Sequence, residues 1–275
     1  MKLSLSVRVA EPPKQKDVAA LPIEQLAPRA KELGFDGLSM RASVVSVDSP
    51  PERVAAVREL LDGLDLSVST VCGDIPLASN STEAVTAIRN IGPYLDLAER
   101  LGAPMVRVMM QSEEDIPHAQ RASDEAAERG HKLVHLTHWG TLFETVGDAL
   151  AAIDAVDRPN FGAAFEPANL FACGGAYGPG ALERLLPHLF NVFLSNVRLD
   201  PDSPVSFPSR RRGMVTLRYV PVDDSSAIRM QPLIAALKRL GYDGWITVHQ
   251  PSGDGEDIDA AMRRASAFFG PLVRD

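Results

Sequence analysis

The chain is poor in cysteine, short of positive charge and without long apolar runs. Cys72 and Cys173 are the only cysteines, and they make no CxxC pair, zinc ribbon or disulfide framework. The formal charge of −8 and pI near 5.3 argue against a nucleic-acid partner, which needs a basic face. No apolar run reaches the roughly 18 residues of a membrane span. The N-terminal "MKLSLSVRVA" alternates instead of presenting the continuous apolar stretch of a signal peptide. These absences together predict a cytoplasmic protein that uses neither membrane nor nucleic acid.

Hydrophobic residues make up 45% of the 275, enough for one large core. They fall into a regular alternation. Short β-rich runs are expected at 2–9, 37–40, 66–72, 105–110, 132–138, 160–166, 191–199 and 245–250. Between them lie stretches with apolar residues at helical spacing, including 23–34, 51–64, 84–102 and 230–241. Gly34, Gly102, Gly130 and Gly241 stand where helices should stop in a left-handed turn, each just ahead of a strand. Alternating strands and helices imply parallel strands joined by right-handed crossovers. Eight such units predict an α/β fold, a (β/α)8 TIM barrel in a single domain over residues 1–275. The rival, a doubly wound sheet, needs a glycine-rich loop after its first strand, and "VRVAEPPKQ" is not one. The longest irregular stretch runs from Asp200 to Ala227 and contains the basic "SRRRG" of 209–213, a surface cluster able to hold a phosphate but more often solvated.

Active sites of such barrels form where the strands end. The predicted tips carry Arg41, Cys72, Gln111, His138 with Trp139, Glu166 with Asn169, Asn196 with Arg198, and His249 with Gln250. Alternation puts Leu136 with His138 on one face, and likewise Asn196 with Arg198 and Thr247 with His249. Buried charges and imidazoles are costly when unpaired, so their convergence at one end of a barrel points to a ligand pocket. Taken singly, each is better read as a satisfied rim residue. His135 faces the helices and is expected to be structural. Arg8 and Arg107 alternate with apolar residues, which suits pairing with acidic side chains inside the barrel, and a structural role is expected of them over a substrate role.

Four phrases in order, "AKELGFDGLSM" (30–40), "LDLAERLGAPMVRV" (95–108), "PNFGAAFEPANL" (159–170) and "LIAALKRLGYDGWITVHQ" (233–250), resemble the xylose isomerase-like barrels, the sugar phosphate isomerase/epimerase superfamily. The resemblance spans nearly the whole chain. It implies an isomerase or epimerase of carbohydrate metabolism, acting on a small polyhydroxylated substrate. In that family a divalent metal bound by Glu, Asp, His and Glu at the tips of strands five to eight assists proton transfer between neighbouring carbons. Here "LTHWGT" puts Leu136 in the first ligand position, Glu166 stands for the Asp, Asn196 for the His and Asn169 for a further His, and His249 for the last Glu. All four ligand identities differ, and a leucine neither binds a metal nor carries a proton.

Three readings follow. In the first, no cofactor is used: His249 and Glu166 form a catalytic acid/base pair, and His138, Trp139, Asn169, Asn196, Arg198, Arg41 and Gln111 bind substrate, with Arg198 supplying the positive charge a metal would bring. In the second, a displaced Mn²⁺, Mg²⁺ or Zn²⁺ site uses His138, Glu166 and His249. In the third, the barrel binds a sugar-like ligand or a partner without catalysis. A lyase or dehydratase acting on a keto-sugar begins with the same proton removal and is the second enzymatic alternative. A homo-oligomer built through the outer helices is compatible with all three.

Overall fold

The computed structural model describes residues 1–12, 15–252 and 255–274. Among the described residues eleven strands are formed: β1 (Lys2–Ser6), β2 (Gly37–Met40), β3 (Ser67–Val71), β4 (Met105–Val108), β5 (Lys132–Leu136), β6 (Phe161–Phe165), β7 (Leu189–Leu194), β8 (Val197–Leu199), β9 (Val205–Ser209), β10 (Gly213–Tyr219) and β11 (Trp245–Val248). Eight of them, β1 to β7 and β11, close into a parallel barrel, and β8, β10 and β9 form a separate antiparallel sheet. Closure runs through β1, which pairs with β11 from Lys2↔Trp245 to Leu5↔Val248 and with β2 from Ser4↔Gly37. The chain is therefore a single (β/α)8 TIM barrel with one excursion.

Helices cover the barrel because their apolar residues recur at helical spacing. In Ile23–Glu32, Ile23, Leu26, Ala27 and Ala30 are buried, an i, i+3, i+4, i+7 stripe. The four predicted helix-ending glycines all adopt positive φ, between 65° and 81°. Gly162 on β6 serves a different purpose: a Cβ there would stand 2.5 Å from the His188 carbonyl oxygen, so only glycine lets the chain approach β7 this closely. Among the described residues, no helix is long and apolar enough to cross a membrane.

Three expectations are corrected. The helix expected over 84–102 is broken: a turn at Thr82–Val85 leads into Thr86–Arg89, and a new helix starts at Gly92–Leu101. Pro93 lies in the first turn of that second helix, where its missing N–H costs nothing, but it cannot continue a helix from upstream. The strand expected over 191–199 leaves the barrel after Leu194, and Val197–Leu199 pairs instead with β10. The stretch 200–227 is not irregular. Most of it is the hairpin β9–β10, turning at Arg210–Arg212 with Gly213 at φ 71°.

The barrel interior is filled by side chains of both kinds. Ser4 and Ser69 hydroxyls meet at 2.8 Å, and Asn191 bridges Thr70 and Thr247 at 2.9 and 3.0 Å. Met105, Val134, Leu136, Ala164 and Phe193 form a small apolar cluster of their own. Leu136, in the position where the resemblance expects a carboxylate, is thus part of the core and one wall of the cleft above it.

Candidate active site

At the C-terminal ends of the strands lies a narrow cleft of about 20 Å³. Its wall includes Arg8, Lys16, Arg41, Asn80, Arg107, Leu136, His138, Trp139, Glu166, Asn169, Tyr219 and His249. A larger groove of about 520 Å³ lies between the helices Ile116–Glu128 and Val146–Val156 and the β9–β10 turn, but its lining brings no histidine together with a carboxylate.

Glu166 follows β6 directly and is 4% exposed. Its Oε1 accepts from the Ser195 hydroxyl at 2.9 Å and its Oε2 from the Asn169 amide at 2.7 Å. The same Asn169 amide nitrogen donates to the Thr137 carbonyl at 2.9 Å, which fixes it between β5 and β6. Burial pushes the Glu166 carboxyl above its ordinary range, against the opposing pull of the Ser195 bond and of Arg8, Arg107 and Arg41.

Two buried histidines flank this carboxyl. His138 donates from Nδ1 to the Trp139 carbonyl at 2.9 Å, and its ring lies 3.8 Å from the Trp139 ring. His249 holds Nδ1 3.0 Å from Ser6 Oγ and packs edge-on against Phe193. Burial holds both well below the ordinary histidine pKa, helped by Arg107 at His138 and by Arg8, Arg41 and Arg107 at His249. Both imidazoles are therefore neutral near neutral pH.

Positive charge gathers opposite. Arg41, one residue past β2, forms a buried ion pair with Glu11 at 2.7 Å and donates to the Ala78 carbonyl. Arg8 and Arg107 are 6% and 4% exposed, yet among the described residues neither meets a carboxylate at ion-pair distance. Arg8 donates to the Tyr219 hydroxyl at 3.0 Å, and Arg107 donates to Asn80 Oδ1 and lies against Cys72 Sγ. The Nε of each is buried without a partner. The expected pairing with acids is not formed at contact distance: Arg107 points inward from β4 and Arg8 from the turn Val7–Ala10, the groups they touch are neutral, and Glu166 acts on both only at longer range. Lys16 completes the group, and burial beside Arg8, Arg41 and Arg107 lowers its pKa to about 6. Cys72 is inert as a nucleophile, because burial pushes its thiol up.

Several expected site residues lie elsewhere. Asn196 is fully buried, but its amide donates to the Pro221 and Asp224 carbonyls and accepts from the Ile228 N–H, so it braces the 221–228 loop. Arg198 is exposed on β8, 3.9 Å from Asp200, because the chain has already left the barrel there. Gln111 donates to the Ser81 carbonyl and does not line the cleft. The "SRRRG" turn spends its backbone donors on the chain itself. Its Arg210 and Arg211 N–H groups and the Ser209 hydroxyl close on the buried Glu144 carboxylate at 2.7 to 3.1 Å. His135 is structural as expected, accepting from the Met110 N–H at 2.8 Å and stacking on Phe143.

The donor set does not suit the divalent metal that the resemblance implies. Leu136 occupies one ligand position, and three arginines and a lysine face the same space. Among the described residues no group of three or more His, Cys, Asp or Glu stands close enough to hold a metal. Among the described residues His138, Glu166 and His249 share the cleft without forming a group able to hold a metal.

A family model described as a xylose isomerase-like TIM barrel matches residues 27–270. Among solved structures, a probable 3-DHS dehydratase involved in petrobactin synthesis from Bacillus anthracis aligns with a TM-score of 0.72 at 16% identity, over 97% of this chain and 99% of its own. A xylose isomerase domain protein from Planctomyces limnophilus gives 0.71 at 18% identity, over 98% and 95%. A D-allulose 3-epimerase from Methylomonas sp. gives 0.70 at 16% identity, over 99% and 98%. At such identities the likeness is one of fold. No curated protein matches the sequence.

Proposed function

The chain belongs to the xylose isomerase-like TIM barrel family, and from that premise we propose that it is an isomerase or epimerase of a small polyhydroxylated keto compound, working by proton transfer beside the carbonyl without the family's divalent metal. One observation carries this reading: a buried carboxyl, held at both oxygens, shares a narrow cleft with two neutral imidazoles and a group of cations.

The roles follow from the protonation states. Glu166 is the base. Burial raises its pKa toward the working pH, which strengthens it as a proton acceptor, and its two hydrogen bonds fix its direction. His249 is too strongly held neutral to serve as the primary base, the role its position first suggests. Ser6 Oγ accepts from the Arg8 N–H and lies 3.0 Å from His249 Nδ1; we assign it as the donor to Nδ1, which leaves the ring presenting Nε2–H to the cleft. A neutral imidazole N–H is a suitable donor to a carbonyl that becomes an enediolate oxygen. His138 has the opposite tautomer. With Nδ1–H committed to Trp139, its Nε2 is left as an acceptor for a substrate hydroxyl. Glu166 removes a proton from the carbon beside the carbonyl, the oxyanion is stabilised by His249 and the guanidinium groups, and Glu166 returns the proton to the neighbouring carbon while the substrate hydroxyl proton passes to the former carbonyl oxygen, which isomerises; epimerisation at the same carbon needs a donor on the opposite face, the role left to His249 Nε2–H. The family's epimerases and dehydratases are consistent with such a start, and loss of a β-hydroxyl instead of reprotonation would make this chain a lyase.

Turnover of a ketose panel by Glu166→Gln and His249→Ala tests the assignment. Each variant should lose on the order of 10²–10⁴-fold in kcat while keeping the wild-type circular dichroism spectrum. Wild-type kcat in either variant would remove that residue from the mechanism.

A further inference from the structure

The cleft has more positive charge than its own residues neutralise. Arg41 is matched by Glu11, but Arg8 and Arg107 face the single carboxyl of Glu166. A buried charge without a counter-ion is strongly disfavoured, and here two guanidinium Nε groups are also buried without any acceptor. An enediolate does not remedy this, because its charge exists only during the reaction and the arginines are buried throughout. Lys16 shows the same excess by another route: its neighbours and burial make protonation unfavourable until negative charge enters.

Resting on the reading of this cleft as a keto-substrate site, we propose that the substrate carries a permanent oxyanion, a carboxylate or a phosphate, seated by Arg8 and Arg107. The two arginines enter from opposite sides. Arg8 follows β1 and is held by the Tyr219 hydroxyl of the excursion sheet, and Arg107 projects from β4 and is held by Asn80. Each keeps donor capacity unused by the chain, which is the arrangement that a bidentate oxyanion satisfies. Lys16, on the segment that follows β1, adds a third contact and takes up a proton when the anion binds. The excursion sheet therefore shapes specificity, since Tyr219 on β10 orients Arg8.

Titration calorimetry near neutral pH on protein dialysed free of phosphate and sulfate tests the proposal, with inorganic phosphate, malonate and D-fructose as probes. At least one oxyanion should bind once per chain, more tightly than D-fructose, and the preferred one tells phosphate from carboxylate. Arg8→Met and Arg107→Met should each weaken that binding on the order of 30-fold or more. Arg8→Lys and Arg107→Lys keep the charge without the fork, and should weaken it less, which keeps the test open where a methionine variant does not fold. Glu166→Gln should bind the oxyanion at least as tightly as wild type while losing turnover, so a failure of the catalytic assignment leaves the binding result standing. Absence of oxyanion binding, equal binding of D-fructose, or unchanged binding in folded arginine variants would overturn the proposal.

Discussion

Glu144 offers the most quantitative perturbation. Its carboxylate accepts four hydrogen bonds: Oε1 from the Gly140 and Arg210 N–H groups, both at 2.7 Å, and Oε2 from the Arg211 N–H and the Ser209 hydroxyl, both at 3.1 Å. It is 2% exposed and is the anchor of the β9–β10 turn. Glu144→Gln preserves the shape but replaces one accepting oxygen with an NH₂ group. With the NH₂ at the Oε2 position the Ser209 hydroxyl turns to accept from it, so one donor, the Arg211 N–H, loses its acceptor. At about 1–3 kcal/mol for a donor left unsatisfied, and at the low end because the turn itself meets solvent, the cost is about 1–2 kcal/mol. For a chain of this size that lowers Tm by roughly 2–4 °C, unless the hairpin opens locally first. Opening has a consequence for the cleft. Phe207 on β9 stacks on Trp139 at 3.8 Å, and Trp139 packs on His138. The variant should therefore raise KM for substrate more than it lowers kcat. Hydrogen exchange with mass spectrometry over 205–219, read alongside a melting curve, measures both effects. Wild-type protection of the Arg210 and Arg211 amides in the variant, with an unchanged Tm, would refute the reasoning.

Two further predictions concern the cations. The folded protein releases the Lys16 proton through about pH 6, while the unfolded chain holds it to about pH 10.4, so between these values the unfolded state binds more protons and stability contributed by this site rises with pH. Denaturant titrations should accordingly show wild type gaining on Lys16→Met from pH 6 upward, with Arg8, Arg41, Arg107 and Glu11 as the charges facing the amine; a flat difference would deny the shift. Leu136→Glu combined with His249→Glu should not bind Mn²⁺ by calorimetry while Arg8 and Arg107 remain, and should gain measurable affinity once both are changed to Met. Tight Mn²⁺ binding in the double variant alone would mean that the cations do not oppose a metal.

The barrel was legible because its signals are local. Each strand run, each amphipathic stripe and each helix-ending glycine can be read within about ten residues, and the closed parallel sheet follows from their order. His138, Glu166, Asn169 and His249 were legible for the same reason, as tips of strands whose alternation is short and regular. The exit of the chain from the barrel after Leu194 was not. Asn196 and Arg198 continue the alternation of β7 on paper, but the backbone turns into a second sheet between them and Leu194. Alternation placed Arg8 and Arg107 indoors without revealing their partners. Whether a buried arginine meets a carboxylate depends on residues far away in sequence, here Tyr219 at a separation of 211 and Asn80 at 27. The β9–β10 hairpin had a local signal that was available and outweighed by its charge: the glycine after "SRRR" sits at the positive φ that such a turn requires.

The most direct test of metal-free proton transfer is deuterium incorporation. Protein treated with chelator is incubated in D₂O with ketose phosphates and keto-sugar acids, and the carbon-bound protons beside the carbonyl are followed by NMR. The account predicts exchange at that carbon in wild type, undiminished by chelator and lost in Glu166→Gln. Exchange that vanishes with chelator and returns with added Mn²⁺ would contradict it, and so would exchange that survives in Glu166→Gln.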